Sequence, residues 1–449
     1  MTTRRINLSL AALAAILLLG VVILPARVHG QIAVRNQGFV PFSDPPINYR
    51  GAVNDPVAQL QRRLDTGGAT FEWDASHGYL KAVLDALQVP VSSQTLVFSK
   101  TSFQYRKISP RTPRALYFND DVYVGKVHDG KALEIVSFDA MQGAIFYLLD
   151  DQPVDRPTFQ RAELDCTVCH VAANTRNVPG VLIRSIVPTA TGTQSARTPS
   201  YLVGNETPLA NRFGGWYVTG THGRQVHMGN VNVEDAETGL LDRAAGANVS
   251  DLSSRFDTSR YLSPHSDIVA QLVQAHQTQM HNLITLTNYQ TRLALHGEAA
   301  KNLAAGLVEG TLSDAARARI EGPAEQLVRY LVFADEAPLE GAVKGTSGFT
   351  EQFAARGPRD SNGRSLRDFD LQTRLFKYPV SYLIYSDAFD ALPEPARSYV
   401  YRRLLAILRG SEHTDEFTHF NDADRRAALA VLQETKKGLP SDWQPPQER

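Results

Sequence analysis

Hydrophobic and polar positions change their period midway along the chain. Between residues 95 and 149, apolar and branched residues come in short runs: Thr95-Leu96-Val97-Phe98, Ala115 to Phe118, Val122 to Val127, Leu133 to Phe138 and Ala144 to Leu149. Asn119-Asp120 and Asp129-Gly130 stand between them with turn chemistry. Sequential strands joined by so few residues predict an antiparallel meander. From Ser263 onward the spacing becomes helical. Ser263, Ser266 and Asp267 offer a helix start ahead of a long periodic run from Ile268 to about Leu295. Leu312 to Ile320, Pro323 to Phe333, Gln372 to Asp387, Pro395 to Leu408 and Ala423 to Thr435 are further helical stretches.

The remaining segments are less regular. Residues 31 to about 70 are broken by Pro41, Pro45 and Pro46, and Tyr79 to Leu87 reads as a short amphipathic helix. Val181 to Val187 is one more strand candidate. Residues 188 to about 215, rich in Pro, Gly, Thr and Asn, read as loop, as does the glycine-rich stretch from Gly341 to Arg367. The polar tail from Pro440 to Arg449 is expected to fray. The expected fold class is α+β, with a strand-rich N-terminal half that carries the segment around residues 166–170 as an inserted loop, and a helical C-terminal half. The regions divide as 1–30, 31–160 (β-rich with one helix), 161–260 and 261–449 (helical), and the length predicts two or three lobes.

Composition narrows the function classes. The 46 basic and 47 acidic side chains nearly cancel, and no long basic tract occurs, so nucleic-acid binding is not indicated. Hydrophobic content of 43% is ordinary for a globular protein. No nucleophile triad, phosphate-binding glycine loop or zinc-hydrolase motif is visible. Asp120-Asp121 sits in an apparent turn with no motif around it.

The chain has two cysteines, and both fall in Cys166-Thr167-Val168-Cys169-His170. Chance placement of this pentapeptide is on the order of one in ten thousand, and C-x-x-C-H reads as a site of covalent haem attachment. Each thiol can add across one vinyl group, and the following imidazole is then held beneath the iron. Three other readings share these residues. A thioredoxin-type redox pair needs a β-α-β setting that the pattern does not show. A zinc site needs a fourth ligand from elsewhere. A bare disulfide here closes a very short loop and stabilises little.

The N-terminus bears on the same question. Arg4 and Arg5 precede an apolar run from Leu8 to Leu24 and then Pro25-Ala26-Arg27-Val28-His29-Gly30. This reads as an export signal cut ahead of Gln31, with an uncut anchor as the alternative, since about 17 apolar residues is the lower limit for a span. The twin arginine reads as a basic start, because haem is joined to the chain after export and the polypeptide crosses unfolded.

The motif resembles that of c-type cytochromes. The resemblance implies one covalent haem c, Cys166 and Cys169 as attachment points and His170 as proximal iron ligand, and it covers only these few residues. Small cytochrome c domains are mostly helical, whereas this motif follows a strand-rich block. Arg197-Thr198-Pro199-Ser200 is also similar to the R-T-P-S run of the bacterial di-haem peroxidase and MauG group. That group carries two C-x-x-C-H motifs and this chain one.

The second axial position has several candidates. Met228 lies about 58 residues beyond His170, on the run Gly220 to Asn230 that also holds His222 and His227. Met228 is the first choice, with His227 and His222 as alternatives, and Trp216 and Tyr217 stand ready to cover a haem face. His276 and Met280 share one face of the long helix, with His281 turned away from it; a hydrogen-bonded core role is the default for these histidines. His265, His296, His413 and His419 have no motif around them. Arg176, Arg184 and Arg212 are possible partners for haem propionates, with solvated surface positions as the default.

These residues predict a periplasmic c-type cytochrome that transfers single electrons to a redox partner protein and touches a membrane only through an uncleaved N-terminus. The alternatives are a mono-haem peroxidase-like oxidoreductase, with His222 or His227 as acid-base group, and a haem-based sensor or scaffold.

Overall fold

The structure is a computed structural model that describes residues 40–233, 239–412, 417 and 419–444. Two short helices come first, α1 (Pro56–Asp65) and α2 (Leu80–Ala86). The meander follows: β1 (Thr95–Val97), β2 (Arg114–Phe118), β3 (Val122–Lys126), β4 (Ala132–Asp139), β5 (Gly143–Asp150) and β6 (Phe159–Arg161). Helix α3 (Glu163–His170) carries the C-x-x-C-H run, and β7 (Arg184–Ile186), β8 (Ser200–Leu202) and β9 (Trp216–Tyr217) complete the strands. The helical half contains α4 (Ile268–Ala305), α5 (Asp314–Leu331), α6 (Phe349–Ala355), α7 (Asp387–Asp390), α8 (Glu394–Leu408) and α9 (Asp422–Thr435). The α+β division predicted from periodicity holds.

The main sheet is antiparallel in the order β6-β5-β4-β3-β2-β1-β9, and β7 pairs with β8 separately. Side chains alternate across it, as the two-residue period requires. Ala115, Tyr117, Val122, Val124, Ile135, Ile145 and Tyr147 pack on α1 and α2 through Val57, Leu60, Val83 and Leu84. Val97, Phe118, Tyr123, Phe138, Ala144 and Phe146 face the opposite layer, whose centre is α4. The described residues form one compact unit and not the two or three lobes that length predicted; the sheet is sandwiched so that both halves of the chain share one core.

Helix α4 runs through the middle, and its first 22 residues, Ile268 to Tyr289, are all buried. Most of its polar side chains find partners, as burial demands, whereas both polar atoms of Gln279 and Nδ1 of His281 are buried without one. Gln271 donates to Tyr217 C=O at 2.8 Å, and Gln277 donates to Asn119 C=O at 2.7 Å and to Tyr123 Oη at 2.8 Å. Asp267 caps the helix, accepting from Val269 and Ala270 N–H through one oxygen and from Thr346 and Ser347 N–H through the other.

Several local expectations are corrected. The 31–70 stretch contains α1, begun by the Asp55 cap and Pro56 at its first turn. The two helices expected at 312–333 are one, α5, which continues through Pro323. Gln372 to Asp387 is not a helix: Leu375, Phe376, Tyr378, Val380, Tyr382, Leu383 and Ile384 are buried without a single stripe, and Pro379 bars regular helix before it. Strand β7 covers only Arg184–Ile186, the later part of Val181 to Val187.

Candidate functional site

The C-x-x-C-H residues lie on a helix and not on the loop expected inside the strand-rich half. Positions 166, 169 and 170 stand three and four apart, so one side of α3 presents both thiols and the imidazole. Cys166 is half-buried against the core layer that includes Phe146, Cys169 is exposed, and the two are not joined to each other. Val168 between them is 79% exposed, so the motif forms part of the protein surface.

The chain after α3 folds back onto His170. A 3-10 turn at Ala173–Thr175 is followed by Arg176 and Asn177, both at φ 59° in the left-handed region. That reversal returns Gly180 to the end of α3. Gly180 N–H donates to His170 C=O at 3.0 Å, and the hydroxyl of Thr175 donates to the same carbonyl at 3.1 Å. The ring is held as well: His170 Nδ1 lies 2.8 Å from Gly180 C=O. A carbonyl can only accept, so Nδ1 carries the proton and Nε2 keeps its lone pair. The imidazole rests on Phe146, with ring centroids 4.9 Å apart. Burial pushes the His170 pKa down against the opposing Gly180 hydrogen bond, so the ring is neutral at pH 7.

Gly180 is required where it stands. A Cβ there would lie 2.2 Å from Asn282 Oδ1. Asn282, fully buried on α4, accepts from Val181 N–H at 3.0 Å and donates to Val181 C=O at 2.7 Å. The central helix therefore grips the segment whose carbonyl orients His170. Neither Gly180 nor Asn282 is marked by a sequence motif; the one hint is a glycine ten residues beyond the histidine.

The sheet face beside α3 is the less covered end of its layer. Toward α4, Phe118, Tyr123 and Phe138 are buried; Leu116 and Val136 on the same face are only half-buried. An Arg114–Glu134 ion pair at 3.0 Å closes the strip, passing over Gly125, where no side chain intervenes. Glu134 also accepts from Gln104 Nε2 at 2.9 Å and from the Ser102 hydroxyl. Arg114 Nε is buried and without a partner. Both charges act on His170, Arg114 lowering its pKa and Glu134 raising it.

This donor set fits a covalently held haem. Two thiols and a neutral, oriented imidazole share one helix face beside half-covered apolar side chains, and the tautomer is fixed by a partner on the far ring nitrogen. Among the described residues, no group of three or more His, Cys, Asp and Glu converges as a metal-ligating cluster.

The candidates for the second axial position each have contacts of their own. Met228 is buried in a separate cluster with Val187 and Val233, and its sulfur accepts from the Ser185 hydroxyl at 3.7 Å. His222 and His227 are brought together, with ring centroids 4.8 Å apart and both buried. Asn248 N–H donates to His222 Nε2 at 3.0 Å, Gly229 N–H donates to His227 Nδ1 at 3.0 Å, and His222 Nδ1 is buried without a partner. Burial drives the His227 pKa down to about 3, with His222 adding to the shift. His170 shares no hydrogen bond, ring contact or apolar cluster with these three among the described residues.

His276 sits between Asn205 Oδ1 (3.1 Å) and Ser381 Oγ (2.7 Å), stacked on Phe333 at 4.5 Å. His281 stacks on Phe138 at 3.8 Å, and its Nε2 donates to Asp120 C=O at 2.9 Å. Met280 is in the core, His419 lies 2.7 Å from Val332 C=O, His296 is exposed, and His413 lies outside the described residues. Trp216 and Tyr217 are buried on opposite faces of β9. Arg184 is exposed and Arg176 half-buried against Gln326. Arg212 departs from the expected solvated position: it is buried, with Thr207, Gly204 and Asn205 carbonyls at 2.7, 2.8 and 3.1 Å around its guanidinium. The export segment, Arg4 to Gly30, also lies outside the described residues. Among the described residues no helix is long and apolar enough to cross a membrane.

Set against known proteins, the chain matches no family model, no curated protein and no solved structure.

Proposed function

We propose that this chain carries one haem c, joined through Cys166 and Cys169 with His170 Nε2 as axial ligand, and passes single electrons to a redox partner protein outside the cytoplasm. The observation that carries the reading is the helix face shared by both thiols and an imidazole whose Nδ1 is engaged by Gly180. Each thiol adds its S–H across a vinyl double bond: a C–S bond forms, the hydrogen goes to the other vinyl carbon, and no net electrons move. Bound there, the group supplies a one-electron ferric/ferrous couple. The Gly180 carbonyl makes the imidazole a stronger donor, and burial keeps it neutral. Exposed Val168 and Cys169 put the edge of the site at the surface, where a partner can approach within tunnelling distance. Export fits this chemistry, since covalent haem attachment belongs to the outer side of the cytoplasmic membrane.

A second reading, a mono-haem oxidoreductase of peroxidase type, is favoured by one observation. The sulfur of Met228 and one ring nitrogen each of His222 and His227 already accept hydrogen bonds, and in this reading they keep them while a small molecule takes the second axial position. Expression with a haem-maturation system, followed by the ferric optical spectrum, separates the two. A low-spin spectrum with the methionine-to-iron charge-transfer band supports electron transfer with Met228 as ligand. A high-spin spectrum that changes on adding peroxide supports the second reading.

A further inference from the structure

A cleft of about 600 Å³ opens at the edge of the main sheet where β1 meets β9. Its volume falls in the range of small-molecule sites. At its floor are the edges of Phe98 and Tyr217, two largely buried rings tilted 48° to each other with centroids 4.8 Å apart. One wall is the turn at 189–193, seated against the end of β1. Gly192 makes that approach possible, since at φ +83° a Cβ would lie 2.3 Å from the Phe98 carbonyl oxygen. Thr191 from this turn, with Ser109 and Asn232, adds hydrogen-bonding groups to the rim.

Among the described residues the charge of the lining has one sign: Lys100, Arg111 and Arg255 line the cleft, and no described acidic side chain does. Lys100 Nζ donates to the carbonyls of Ile108 at 2.8 Å and Tyr105 at 3.3 Å, and Arg255 donates to the carbonyls of Asn230 and Ala245. Those acceptors fix the two cations in place without neutralising them. Arg111 has no side-chain hydrogen bond or ion pair among the described residues. Three cations held around one hollow repel each other and focus a positive potential into it, a cost that a bound anion removes. Some cations elsewhere are paired with acids, as Arg114 with Glu134, Arg374 with Asp424 and Arg403 with Glu325, while Arg212 and Arg292 are held by carbonyls as Lys100 and Arg255 are.

We propose that this cleft binds a small organic anion, its oxyanion head held by Lys100, Arg111 and Arg255 and its apolar body set against the edges of Phe98 and Tyr217. The proposal stands apart from the haem reading, because none of these residues belongs to the C-x-x-C-H site. Carboxylate and phosphate heads share this chemistry, so the probes are benzoate and phenyl phosphate, titrated into the full chain by calorimetry. Benzamide serves as the uncharged control and inorganic phosphate as the bodiless one. Saturable binding of either aromatic anion is expected, and the tighter of the two identifies the head group. Arg111→Ala, at an exposed side chain without partners, is expected to weaken it at least tenfold with an unchanged melting temperature. Arg255→Gln gives a second, independent loss. Raising the ionic strength also weakens binding. The proposal is overturned if neither anion binds saturably, if benzamide or inorganic phosphate binds as tightly as the aromatic anions, or if both variants keep the parent affinity.

Discussion

Asn282→Ala removes the grip of the central helix on the segment that orients His170. The parent side chain satisfies both backbone groups of Val181, at 3.0 and 2.7 Å, in a position with no solvent exposure. Truncation orphans one N–H and one C=O, and each costs ~1–3 kcal/mol when buried. The total is about 2–6 kcal/mol, toward the lower end if a water enters the vacated space. Unfolding entropy of ~2.1 cal/mol/K per residue over roughly 400 residues gives about 0.85 kcal/mol/K, so Tm is predicted to fall by about 2–7 °C. The consequence for the site is separate. With Gly180 loosened, the hydrogen bond to Nδ1 weakens, the imidazole becomes a poorer donor, and the ferric state loses relative stability. The reduction potential of the loaded protein is therefore predicted to rise. Thermal melting by circular dichroism reads the first effect and a redox titration the second. Asn282→Asp, which keeps the acceptor but loses the donor, is predicted to fall between parent and alanine in Tm. A melting temperature within a degree of the parent would refute the clamp, and an unchanged potential would refute its link to His170.

Further outcomes are expected. Cys166→Ala with Cys169→Ala abolishes haem stain on a denaturing gel, whereas His170→Ala keeps the stain and alters the optical spectrum, because attachment and ligation use different residues. His276 has its pKa depressed to about 3 by burial, so its contribution to stability is complete above the ordinary value near 6.5 and is lost as pH falls toward 3. Between pH 7 and 5 that loss is about 2 kcal/mol, and urea titrations of His276→Gln should show the pH dependence reduced by this amount. Glu336 behaves oppositely: burial raises its pKa to about 7, so its contribution is complete below the ordinary value of 4.5 and is lost as pH rises through 7. Glu336→Gln is predicted to gain stability over the parent as pH goes from 5 to 8, by no more than ~3 kcal/mol; a constant difference across that range would count against the assignment.

How much of this was legible depends on the kind of signal. The meander could be read because short apolar runs such as Val122 to Val127 and Leu133 to Phe138 stand on either side of turn residues such as Asp129-Gly130, and the antiparallel pairing follows. Helix α4 was found by its start at Ser266-Asp267, but not its role, because a helix buried on every side loses its stripe: Gln271, Gln274, Gln277 and Asn282 look like a solvent face and are buried. The segment from Gln372 to Asp387 failed for the opposite reason, since apolar residues on all sides imitate helical spacing while Pro379 prevents it. At the site, Cys166, Cys169 and His170 were visible as a local motif. Gly180 and Asn282 were not, because their contacts to the motif run through backbone carbonyls and cross up to 101 positions of sequence. Arg212 was misjudged likewise: its partners are three carbonyl oxygens, which carry no sequence signature.

The central claim is that a porphyrin is bonded to the sulfurs of α3. Intact-mass measurement of protein purified from a host with haem-maturation machinery, after denaturation and thiol alkylation, tests it most directly. The account predicts a polypeptide heavier by one haem, with neither Cys166 nor Cys169 alkylated. A chain of unmodified mass that takes up two alkyl groups would contradict it.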